Sequence, residues 1–77
     1  MTGGDASLVD LAGKALGPDP DEGLAAIAEL RREIDRVEEA HVARAVRARW
    51  TWSRIGQALG VSRQAVHRKY ASRSLAP

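Results

Sequence analysis

Apolar residues first return at helical spacing near the start of the chain, where Leu8, Leu11, Ala12 and Ala15 fall at i, i+3, i+4 and i+7. That stripe predicts a short amphipathic helix over 5–16. Asp5 or Ser7 is placed to cap its start, and Gly17-Pro18 is a firm stop. The next four residues, "DPDE", put Asp19 at an N-cap, Pro20 at the first helical position and Glu22 three residues after the cap. This is a capping-box arrangement, with proline where its missing N–H costs nothing. Apart from Gly23, neither Gly nor Pro interrupts the chain again until Gly56. A helix from Pro20 to about Arg49 would run roughly 45 Å at 1.5 Å per residue.

The polar–apolar pattern of this long helix accounts for its length. Ile27, Leu30, Ile34, Val37 and His41 alternate steps of three and four, the spacing of a seam between two helices. Leu24, Ala28 and Ala45 extend or widen the stripe, and charges such as Glu29, Arg32, Asp35, Arg36 and Glu39 cover the opposite side. One short helix cannot cover so long a stripe. The expectation is therefore a homodimer whose interface draws on Leu8, Leu11, Leu24, Ile27, Leu30, Ile34 and Val37, its orientation left open. Beyond His41 the same helix offers Val42, Ala45, Val46 and Trp50 to a second core.

The pattern then breaks into two short helices. Thr51 can cap the first, in which Ile55, Ala58 and Leu59 share a face. Gly60 supplies the left-handed residue that ends it. Val61 would plug the angle, and Ser62 caps a second helix with Ala65, Val66 and Tyr70 inward and Arg63, Gln64, His67 and Arg68 outward. Arg54 stands where a capping-box glutamate would sit, a choice that suits a nearby phosphate.

From Thr51 to Ala71 this spacing resembles the helix-turn-helix family. "LGVSRQAV" carries the likeness, with Gly56 as the small residue midway in the first helix and Gly60 opening the turn. Lys69 departs from the pattern, standing where an aliphatic residue is common. The whole layout is also similar to a group of small actinobacterial proteins of the GATC-binding nucleoid-associated type. That resemblance implies a cytoplasmic, nucleoid-associated homodimer that occupies many short sites and influences transcription.

The resulting expectation is an all-α chain: a short N-terminal helix, a long dimerising helix and a C-terminal tri-helical unit. The sequence divides it into an acidic region at 1–40 and a basic region at 41–77. Residues 1–40 hold all ten acids against four bases, and residues 41–77 hold eight bases and no acid. Net charge is only +2, but an acid-free stretch of that length is the footprint expected for a polyanion partner. In a helix-turn-helix the second helix enters the major groove with its N-terminal residues nearest the base edges. Arg63 or Arg68 would take guanine, Gln64 adenine, and His67 a base or backbone oxygen. Arg49, Thr51, Trp52, Ser53, Arg54, Ser62, Lys69 and Arg73 are the expected phosphate contacts, with Trp52 balanced between packing and contact.

Several function classes drop out. The chain has no cysteine and two scattered histidines, so no metal site is expected. No paired base and nucleophile and no phosphate-cradling glycine loop suggests an enzyme, a cofactor or a small-molecule ligand. No apolar run approaches a membrane span, and the N-terminus lacks the basic-then-apolar pattern of a secretory signal. The competing reading is an antitoxin- or adaptor-like interaction module, in which the long helix binds a different polypeptide.

Overall fold

A computed structural model describes residues 4–73, with side chains described from Leu8 to Arg73. The described residues form four helices: α1 (Gly4–Ala15), α2 (Pro20–Arg47), α3 (Trp52–Leu59) and α4 (Arg63–Tyr70). The all-α class expected from the sequence is what the chain adopts. It divides into two compact units, Met1–Val37 and Glu38–Pro77, with α2 contributing to each.

In the first unit, α1 begins at Gly4, ahead of both residues expected to cap it, so neither Asp5 nor Ser7 stands at the cap position. The side chains of those two residues lie outside the described ones. At the start of α2, Asp19 accepts a hydrogen bond from the Asp21 backbone N–H at 3.1 Å. The bond is made one residue earlier than a capping box would place it, because the aspartate side chain reaches the second helical amide. Among the described residues of this unit buried apolar side chains are few: Leu11 and Ala26, with Leu8, Ile27 and Leu30 partly covered. Leu24 is 67% exposed, Ile34 50% and Val37 43%. Leu24, Ile34 and Val37 thus remain on the surface of the single chain, whereas Leu11, also expected at a dimer interface, lies inside it.

The second unit has the better core. Val42 of α2, Ile55 of α3 and Val66 and Tyr70 of α4 are buried together, with Ala45, Val46, Trp50 and Trp52 packed around them. Burial of each such large side chain is worth about 1.5–3 kcal/mol. Two expectations fail here. Ala65 is exposed, because Val66 and Tyr70 at i, i+4 already occupy the inner line of α4 and rotate Ala65 to its flank. Val61 is 46% exposed and does not plug the interhelical angle, which the backbone turn itself fills.

The turns explain that filling. The Gly60 N–H donates to the Gln57 carbonyl and the Val61 N–H to the Gly56 carbonyl, with Gly60 at φ 75°. This is the six-to-one and five-to-two bonding of a Schellman motif. It brings the Val61 carbonyl back over α3, where a Cβ on Gly56 would sit 2.8 Å from that oxygen. The glycine midway in α3 is therefore needed for close approach of the turn.

Candidate nucleic-acid interface

The end of α2 repeats the same motif with an unusual residue. Arg49 N–H donates to the Val46 carbonyl, Trp50 N–H donates to the Ala45 carbonyl, and Arg49 adopts φ 68°. A non-glycine residue in the left-handed region costs about 1–2 kcal/mol. The helix consequently stops at Arg47, two residues short of the expected end, at a place that no Gly or Pro marks in the sequence.

Caps set the two short helices. Thr51 Oγ1 accepts from the Arg54 N–H at 3.1 Å, and Ser62 Oγ accepts from the Ala65 N–H at 3.0 Å. Both cap residues are extended, as N-caps require. Neither helix has an acid in its first turn, so each N-terminus presents backbone N–H groups and a positive dipole end that its own first turn does not offset.

Side chains then sort by position. Arg63, Gln64, His67 and Arg68 are all exposed on α4. His67 is held by an edge-on contact with the Trp52 indole, at 5.4 Å between ring centroids and 84° between planes. Trp52 packs against the core as well, so its packing role is met. The Arg54 guanidinium lies 3.7 Å from the centroid of the Trp50 ring, a cation–π contact that holds it beside the start of α3. Ser53 is exposed in the same first turn. Arg63, Arg68, Arg44, Arg47 and Arg49 have no carboxylate partner among the described residues.

The two remaining residues expected to contact phosphate form ion pairs with α2. Lys69 Nζ lies 3.3 Å from Glu38 Oε2, and Arg73 Nη1 lies 3.2 Å from Glu39 Oε1. The buried Tyr70 hydroxyl also donates to the Glu38 carboxylate. Burial, followed by that hydrogen bond and the carboxylate's charge, pushes the Tyr70 pKa up to about 12. Reasoning from the sequence missed Glu38 and Glu39. The one signal for them was their place as the last two acids before the acid-free stretch. Among the described residues no group of three or more His, Asp or Glu is placed to hold a metal ion, and no helix is long and apolar enough to cross a membrane.

No curated protein and no solved structure matches the chain. A family model does: the homeodomain-like domain, over residues 33–74. That span covers the end of α2, all of α3 and α4 and both Schellman turns, which together form the helix-turn-helix unit described above. The chain belongs to the homeodomain-like family of helix-turn-helix DNA-binding domains.

Proposed function

We propose that this chain binds double-stranded DNA with a preference for sequence, as a homodimer of nucleoid-associated type that shapes DNA and influences transcription. The observation that carries the reading is the front of α4. Arg63 and Arg68 are exposed, lack any carboxylate partner among the described residues, and flank the exposed amide of Gln64. Arginine fits guanine O6 and N7 bidentately, and glutamine fits adenine N6 and N7, each good pair discriminating by about 1–3 kcal/mol. His67 stands on the same face.

Around that front, Arg49, Thr51, Ser53, Arg54 and Ser62 supply hydroxyls, guanidiniums and capped helix starts suited to phosphate, with the Trp52 indole N–H beside them. The homodimer is supported by the apolar surface of the first unit. Leu24, Ile34 and Val37 stay exposed while that unit buries little of its own, and a second copy would cover them. The nucleoid-associated role rests on the resemblance of the whole layout to small actinobacterial proteins of that type.

Fluorescence anisotropy of a labelled generic duplex over a salt series tests the reading. It requires affinity that weakens steeply as salt rises. Replacement of Arg63 by Ala should flatten the preference among duplex sequences, whereas Arg49→Ala should weaken all sequences alike. Absence of binding at low micromolar protein would favour the interaction-module reading, in which the exposed stripe of α2 binds another polypeptide.

A further inference from the structure

Two carboxylates stand behind α4. Glu38 and Glu39 are the only acids in residues 38–77, and both turn toward the C-terminal end of that helix. Glu38 takes Lys69 and the Tyr70 hydroxyl, and Glu39 takes Arg73. The ring of Tyr70 adds a second tether to each cation, with Lys69 Nζ 5.4 Å and the Arg73 guanidinium 5.2 Å from its centroid. The cations of this region therefore form two sets. Arg63 and Arg68 at the front are exposed with no carboxylate partner among the described residues, whereas Lys69 and Arg73 at the rear each face a carboxylate of α2.

We propose that Glu38 and Glu39 serve as internal counter-ions that keep Lys69 and Arg73 off the DNA phosphates, so that the sequence-blind part of the affinity is held down. The proposal rests on the DNA-binding reading above and assigns to two acids a role in how tightly any duplex is held. Each lysine or arginine that neutralises a phosphate adds about 0.9 to the slope of log affinity against log salt, and such contacts carry no sequence information. A cation already facing a carboxylate adds nothing to that slope unless its internal pair breaks. Exposed pairs of this kind resist breaking by up to about fivefold each, and the tyrosine ring contacts add to that resistance.

Glu39 provides the cleaner test, because it leaves the Tyr70–Glu38 bond in place. Generic-duplex affinity is measured over a salt series for the full chain and for Glu39→Gln, Arg73→Gln and the double variant. The expected result is that Glu39→Gln tightens binding by up to about fivefold at low salt and steepens the slope by about 0.9. Arg73→Gln alone should leave the slope unchanged. In the double variant the gain should vanish, since the freed cation is absent. A slope shallower by about 0.9 in Arg73→Gln would overturn the proposal, because Arg73 would already lie on a phosphate. So would a gain that survives in the double variant, which would reduce Glu39 to a simple repulsive charge. Failure of the unsubstituted chain to bind any duplex would remove the DNA-binding reading itself, and the proposal with it.

Discussion

Substitution of Gly56 by alanine tests the fold where it matters for aiming α4. On helix propensity alone the change should stabilise the protein by up to about 1 kcal/mol, since glycine is a poor residue for a helix interior. The structure reverses that sign. The new Cβ would meet the Val61 carbonyl oxygen at 2.8 Å, the Ser62 carbonyl oxygen at 3.1 Å and the Ser62 carbonyl carbon at 3.2 Å. All three are backbone atoms of the turn that connects α3 to α4, so no side chain can swing aside. Forcing a methyl group into so close a site costs about 1–3 kcal/mol, and neighbours that are all backbone of Val61 and Ser62 favour the upper half of that range. The net expectation is a loss of about 1–2 kcal/mol, which in a chain of this size lowers the melting temperature by about 5–15 °C. Thermal melts followed by far-ultraviolet circular dichroism give the number. Gly13 in α1 supplies the internal comparison, because a Cβ there would meet nothing within 4 Å. Gly13→Ala should therefore raise the melting temperature. If Gly56→Ala also raises it, the close approach of the turn to α3 is wrong, and with it the placement of α4.

Other consequences can be checked separately. Arg49→Gly should stabilise the fold by about 1 kcal/mol, because glycine adopts the φ of 68° at this position without a Cβ penalty, yet it should weaken duplex binding at every sequence. Melts paired with salt-series anisotropy would show opposite signs. Tyr70 is the only tyrosine, so tyrosinate absorbance reports a single group. Its pKa in the fold, about 12, lies above the ordinary 10.0, so its contribution to stability is intact below pH 10 and is lost as pH rises from 10 toward 12. Glu38→Gln should move the tyrosinate midpoint down toward 10, and an unmoved midpoint would remove the carboxylate from the account. Ile34→Asp places a charge on the exposed stripe of α2. Sedimentation should show the chain shifting from dimer to monomer without loss of helix content, whereas a monomeric unsubstituted chain at tens of micromolar would remove the seam argument.

Much of the basic unit was legible in the sequence because short-range chemistry governs it. Thr51 and Ser62 cap where their hydroxyls reach an amide one turn on, and Gly60 ends α3 because the left-handed residue there favours glycine. The limits of α3 follow from those signals. The end of α2 was not legible, since an arginine adopts the conformation that glycine normally marks. Ala65 and Val61 were misplaced because apolar character was equated with burial. In a unit this small, two residues of α4 fill the inner line and the turn backbone fills the angle. The pairs of α2 acids with Lys69, Tyr70 and Arg73 lie more than thirty residues apart in sequence. Only the folding of α4 against α2 brings them together, so no local pattern announces them. The cations expected to act alike therefore divide into Lys69 and Arg73, which face carboxylates of α2, and others with no such partner among the described residues.

Backbone amide chemical shifts of the isotope-labelled chain, recorded as a short duplex is added, show which surface meets DNA. If the starts of α3 and α4 hold the duplex, the largest perturbations fall on 51–54 and 62–68, with 24–37 little changed. Perturbations concentrated along the exposed stripe of α2, with the front of α4 undisturbed at saturating duplex, would contradict that reading.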